Sequence, residues 1–192
     1  MIQLVFATHN ENKVKEVQAV LNNFSVQSLS ELGYTQEIDE TEHTLEGNAL
    51  LKARCIYAAF KKPVFADDSG LEVDVLHGAP GVYSARYAGA NRSHEKNNAK
   101  LLSTLAGETN RLAQFRTVIA YTDGTNEQIF EGIVRGTIAT QSSGTDGFGY
   151  DPLFIPQGYD KTFAALPREI KLRLSHRSLA IAKLENYLKS LT

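Results

Sequence analysis

Cysteine is all but absent from this chain of 192 residues: Cys55 is the only one, which excludes an intrachain disulfide and any cysteine-rich zinc site and suits a reducing compartment. Net charge is equally scarce. The formal value of −2 gives no general attraction to nucleic-acid backbones or anionic membranes, although a local basic cleft can still hold a small polyanion. No apolar run approaches bilayer-spanning length, and Met1-Ile2-Gln3-Leu4-Val5-Phe6 enters a strand pattern with neither basic leader nor cleavage site. The reading is a cytoplasmic protein with no membrane partner and no nucleic-acid partner. Repeats, linkers and low-complexity tracts are missing too, so residues 1–192 are expected to form one domain with a substantial core, in two lobes at most.

What is present alternates between strand and helix periods. An apolar strand, Ile2 to Ala7, precedes a helix with Val14, Val17 and Leu21 on one face and a short strand from Ser25 to Leu29, a β-α-β opening. A helix capped by Thr44 carries Leu45, Ala49, Ala53, Ile56 and Phe60 and stops at Lys61-Lys62 before Pro63. Strands are expected at Val64 to Ala66 and Leu71 to Leu76, separated by an acidic Ser-Gly turn, then a helix from Ser93 to Leu105. Gln114 to Tyr121 and Gln128 to Thr140 read as a long hairpin around Asp123-Gly124, and Ile181, Leu184 and Leu188 mark a closing helix over Ser175 to Lys189. The fold class is α/β, with a mixed, strongly twisted sheet and helices on its faces.

The densest chemistry is Ala66-Asp67-Asp68-Ser69-Gly70. Two acids delivered by an apolar run are costly unless cations or donors compensate them, so either a divalent metal sits there or Asp67 and Asp68 are plain turn formers. Magnesium takes only one or two protein carboxylates, and the acidic stretch Ile38 to His43 either offers a second one to the twin acids or is surface charge and first-turn partner of the helix that follows. Thr8-His9-Asn10-Glu11-Asn12-Lys13 bridges the first strand and helix, where free backbone N–H groups and the Lys13 ammonium suit phosphate oxygens. It has no Walker or dinucleotide glycine signature, and a capping asparagine with a solvated lysine explains it equally well. Lys52 is a solvated lysine or a polyphosphate contact. Gly147-Phe148-Gly149-Tyr150-Asp151-Pro152 can lay backbone against a flat ligand, with an aromatic to stack and Asp151 to accept from a base edge, or it is a structural turn. Lys171 and Ser175-His176-Arg177 put cations and donors just before and at the start of the last helix, or Ser175 is only its cap and Arg177 a solvated side chain.

Taken together, T-x-N-x-x-K, ADDSGLEVD, GAPGVYSARYAG, GFGYDP and K-x3-SHR, in this order and spacing, make the chain resemble the inosine triphosphate pyrophosphatase family from Ile2 to the final helix. The resemblance implies an elongated mixed α/β fold with two lobes around a nucleotide-binding cleft, a homodimer, and a magnesium-dependent enzyme. Its reaction converts inosine, deoxyinosine or xanthosine triphosphate to the monophosphate and pyrophosphate, which clears deaminated purines from the nucleotide pool. Carried over residue by residue, Asp68 becomes catalytic base and metal ligand and Glu40 the second metal carboxylate. Thr8, His9, Asn10, Glu11, Asn12, Lys13 and Lys52 fall to the triphosphate, and Ser69 to a contact beside the acid. Phe148, Gly149, Tyr150 and Asp151 fall to the base pocket, and Lys171, His176 and Arg177 to further substrate contacts. His9, Ala165 and Leu172 depart from the family pattern without touching Asp68 or the Ser-His-Arg triplet. Two rivals remain: a pyrophosphatase for modified pyrimidine or methylated nucleotides, which would not need GFGYDP and SHR, and a non-catalytic nucleotide-binding regulator, to which acids beside a polyphosphate bring nothing without a metal.

Overall fold

The computed structural model describes residues 3–191, so Met1, Ile2 and Thr192 lie outside it, and with Ile2 the first residue of the expected strand. Its six-stranded mixed sheet has the order β2-β1-β3-β4-β5-β6. The strands are β1 (Gln3–Phe6), β2 (Ser25–Ser28), β3 (Val64–Val73), β4 (Leu112–Thr122), β5 (Glu127–Ile138) and β6 (Phe154–Pro156). The helices are α1 (Glu11–Val20), α2 (Leu45–Phe60), α3 (His94–Thr104), α4 (Arg168–Leu174) and α5 (His176–Ser190). The β-α-β opening is real: β1 runs parallel to β2, pairing Gln3 with Ser25, and parallel to β3, pairing Phe6 with Phe65. Among the described residues no helix is long and apolar enough to cross a membrane.

The chain divides into two compact units, each assembled from separated segments. Unit 1 comprises Met1–Asp68, Thr117–Gly132 and His176–Thr192. Its core joins Leu4, Phe6 and Phe65 of the sheet to Val14 and Val17 of α1 and to Ile181, Leu184 and Leu188 of α5. The rings of Phe6 and Phe65 stack with centroids 4.6 Å apart, and each such side chain, fully buried, is worth about 1.5–3 kcal/mol of transfer free energy. Unit 2 comprises Ser69–Arg116 and Ile133–Ser175. Leu71, Val73, Leu101, Leu105, Phe115, Leu153, Phe154 and Phe163 form its separate core.

One expectation is overturned where it matters most. Val64 to Ala66 and Leu71 to Val73 are not two strands around a turn but one ten-residue strand, β3, and Asp74–Leu76 is a 3-10 turn. Asp67 and Asp68 therefore lie mid-strand, on opposite faces because side chains alternate. Gly70 is in the strand for lack of a side chain: a Cβ there would come 2.5 Å from the Gly81 carbonyl oxygen. Two elements were not legible beforehand, the three-residue β6, which pairs antiparallel with β5, and the helix α4. Ser175 ends α4 and directly precedes α5.

Candidate functional site

In unit 1 the strand period separates the twin acids into different environments. Asp67 is 1 % exposed; its Oδ1 accepts from Lys13 Nζ and its Oδ2 from Arg177 Nε, both at 3.0 Å. Burial alone would raise its pKa, but Lys13, Arg177 and Lys52 outweigh burial and hold this carboxyl well below the usual carboxylate range. Arg177, buried at the start of α5, also donates from Nη1 to Glu16 of α1, and these two acids keep its guanidinium charged against burial. Asp67 is thus the acid that joins β3, α1 and α5.

Asp68 has the opposite balance. Burial raises its pKa, the Glu40 carboxylate adds to that, and Lys52, Lys13 and a hydrogen bond from Asn48 oppose it without prevailing. Asn48 Nδ2 donates to Asp68 Oδ2 at 3.1 Å, while its Oδ1 accepts from the Glu42 N–H at 3.0 Å. Lys52 Nζ reaches Glu40 at 2.7 Å. Burial weakens its ammonium, yet Asp68, Glu40 and Asp67 together keep it charged. Asn48 and Lys52, four residues apart, sit on the buried stripe of α2 beside Leu45, Ala49, Ala53 and Ile56. Of the two alternatives for Lys52 the solvated lysine is excluded, since the side chain is buried, and two polar residues at helical spacing on an apolar face were the readable signal for both. Asn48 was missed.

The loop into α1 forms the helix cap that stood beside the anion seat as an alternative. Asn10 caps α1, and its Oδ1 takes the N–H groups of Asn12 and Lys13 at 3.0 and 3.3 Å, so these donors serve the helix end. Thr8 Oγ1 accepts from the Asn10 N–H, His9 Nε2 meets the Gln36 carbonyl, and Glu11 accepts from Ser30 Oγ. Lys13 is the side chain of this loop that joins the acids, and burial leaves its ammonium with a lowered pKa despite Asp67.

In unit 2 the glycine-aromatic loop is built around Asp151, which is 3 % exposed. Its Oδ2 accepts from the Phe148 N–H at 2.7 Å and from Lys171 Nζ at 2.6 Å. A Cβ on Gly147, whose φ is +81°, would lie 2.2 Å from that same oxygen, so the glycine admits the carboxylate to the turn. Lys171 also lies 4.8 Å from the centroid of the half-buried Phe148 ring. Tyr150 is a core anchor rather than a stacking platform: it is buried, and its hydroxyl donates to the Ser84 carbonyl. Gly149 is gripped from α3, its N–H by His94 Nδ1 at 3.3 Å and its carbonyl by Asn98 Nδ2 at 3.1 Å. Neither His94 nor Asn98 stood out in the sequence. Ser69 opens unit 2 and His176 is buried at the start of α5 in unit 1.

Among the described residues no three His, Cys, Asp or Glu side chains cluster as a metal cage. Magnesium does not need one, because it keeps several waters and is held by one or two carboxylates. The donor set fits: Asp68 is a buried carboxylate pushed up by burial and by Glu40, and a bound divalent cation would favour its ionised form.

The Ham1 family model matches residues 4–187. The dITP/XTP pyrophosphatases of Exiguobacterium sp. and Bacillus subtilis are 49% and 46% identical, the first over 96% of this chain and 95% of its own, the second over 99% and 98%. Among solved structures, the Staphylococcus aureus Ham1 protein superposes with a TM-score of 0.90 at 42% identity, covering 99% of this chain and 100% of its own.

Proposed function

The chain belongs to the Ham1 family, and on that premise we propose that it hydrolyses non-standard purine nucleoside triphosphates, ITP, dITP and XTP, to the monophosphate and pyrophosphate, with both units serving one pyrophosphatase domain. The observation that supports this best is Asp68: a buried carboxylate with a raised pKa, oriented by Asn48 and flanked by Glu40 and Lys52. Such a group can hold the proton it takes from an attacking water, which an ordinary carboxylate does less well at neutral pH. Asp68 and Glu40 are the residues that would hold magnesium. When bound, magnesium supplies charge neutralisation to the phosphate oxygens and lowers the pKa of water.

The remaining roles are those that the resemblance to the family implies. Lys13 and Lys52, with Thr8, His9, Asn10, Glu11 and Asn12 around them, bind the polyphosphate, and Ser69 contacts substrate beside the acid. Phe148, Gly149, Tyr150 and Asp151 shape the base pocket, with Lys171, His176 and Arg177 as further substrate contacts. Hypoxanthine and xanthine present a 6-oxo acceptor where adenine presents a donor, so a pocket of donors rejects ATP by leaving buried groups unpaired, a penalty that can reach roughly 10⁴ in kcat/KM. A homodimer in the cytoplasm is the assembly and location proposed.

The test is to incubate the protein with ITP, XTP, dITP, ATP and GTP and to identify the products, with and without magnesium. Inosine monophosphate and pyrophosphate in equal amounts are expected, together with weak turnover of ATP and GTP and loss of activity on chelation. Inosine diphosphate with orthophosphate would overturn the bond assignment, and full activity after chelation would overturn the metal.

A further inference from the structure

Helix α3 carries a pair of side chains that the reaction as proposed does not use. His94 and Asn98, four residues apart, share a helix face and seize the two polar groups of one residue, the N–H and the C=O of Gly149. Gly149 stands in the left-handed region, at φ +64°, between the half-buried Phe148 and the buried Tyr150. Fixing both of its polar groups fixes its orientation, and with it the plane in which Phe148 is presented. The His94 ring also lies 6.3 Å from the Phe148 ring, centroid to centroid.

Asn98 makes this contact at a cost that simple stability does not explain. It is 8 % exposed, and its Oδ1 is a buried acceptor with no hydrogen-bond partner among the described residues. A leucine at that helix position would fill the space without leaving a polar atom unsatisfied, so retaining an amide there points to the work of its other end, the donor on Gly149. Its neighbour Asn97 is different: both ends are satisfied, donating to the Ser84 and Ala85 carbonyls and accepting from the Ala88 N–H. Asn97 holds the segment before α3, and Asn98 holds the loop.

Resting on the pyrophosphatase reading, we propose that His94 and Asn98 are positioning residues for base selection: a clasp from α3 that sets the Phe148–Asp151 loop in the shape that distinguishes one purine from another. His94 acts as an acceptor, so its Nδ1 is unprotonated in the clasp. An asparagine at 94 carries its oxygen on the same γ-carbon and can take over that role, whereas a leucine cannot.

The experiment compares His94→Leu, His94→Asn and Asn98→Leu in three measurements. Amide exchange of Gly149 in the free protein is expected to accelerate by roughly three- to tenfold in His94→Leu, the worth of one hydrogen bond, and to stay near the wild-type rate in His94→Asn. Steady-state kinetics should show the KM for inosine triphosphate rising by a similar factor in both leucine variants while kcat holds within about twofold, the pattern of lost binding rather than lost chemistry. The ratio of inosine triphosphate to ATP dissociation constants, measured in an Asp68→Asn background where turnover is removed, should narrow in both. Unchanged Gly149 exchange, an unchanged binding ratio, or His94→Asn behaving like His94→Leu would overturn the clasp. If the wild-type protein releases no pyrophosphate, the pyrophosphatase reading falls, and the exchange and binding measurements still decide the clasp.

Discussion

Unit 1 buries Lys52, Asp67, Asp68 and Arg177 in one network of compensating charges, whereas the unit 2 loop is held by the ion pair of Lys171 with Asp151 and by hydrogen bonds to backbone. The difference teaches what each can do. A network of buried charges divides two adjacent acids into one held ionised and one held ready to take a proton, because each charge is worth more away from water and no group relaxes alone. A loop pinned through its peptide groups cannot do that. It offers shape, and shape selects between flat ligands of similar size. Changes in unit 1 should therefore alter protonation and stability, and changes in unit 2 selectivity.

Asp68→Asn gives the largest effect. Turnover should fall on the order of a hundredfold or more, the usual worth of a general base, while the melting temperature stays level or rises, since burial already opposes the ionised form of this group. A variant that keeps its activity would move the base elsewhere in the network. Asp67→Asn should show the reverse emphasis, with stability at pH 7 lower by about 3 kcal/mol in urea titrations. That is the low end for breaking a buried pair, because Glu16 still accompanies Arg177. The depressed pKa of Asp67 places its contribution above the unfolded carboxyl value and removes it as pH falls toward the folded one. The gap between wild type and variant should thus close below about pH 4. A gap that persists in acid would mean packing, not charge, accounts for the loss.

Gly147→Ala sharpens the contrast from the other unit. The left-handed backbone and the close Asp151 oxygen predict a loss of about 1–3 kcal/mol and a weaker preference for inosine triphosphate over ATP, with kcat little changed. A fall in kcat alone would place the chemistry, not the selection, in this loop. The smallest effect is expected of Asn48→Ala. Its amide favours the ionised Asp68, so its removal raises that pKa further and moves the acid limb of the kcat/KM profile to higher pH. A limb that stays put or moves down would detach it from Asp68.

Much of the framework was legible because it is local. Val14 and Val17, Thr44 and Leu45, and the Asp123-Gly124 turn announce helix faces, a cap and a hairpin through neighbours a few positions away. The continuity of β3 through Asp67 to Gly70 was not, because Asp, Ser and Gly favour turns on their own. The reason they stay extended lies eleven positions onward, in the Gly81 carbonyl packed on Gly70. Lys52 reads as a surface residue on composition, yet with Asn48 it lies on the buried stripe of α2, where helical spacing would have been the better guide. His94 and Asn98 could not be found at all, since a histidine and an asparagine on a polar helix carry no signal until Gly149 arrives against them.

Residue types and their order alone determined the α/β class, the family and the inventory of acids, lysines and loop residues, because those depend on side-chain chemistry and on periods of two and of about 3.6. Which of two neighbouring acids is held ionised, which lysine is buried, and whether Asn10 addresses a ligand or its own helix were decided only by tertiary structure. Those properties are differences between burial, which disfavours charge, and partners such as Arg177, which lies 110 positions from Asp67 along the chain. A sum of that kind has no value until the chain has folded.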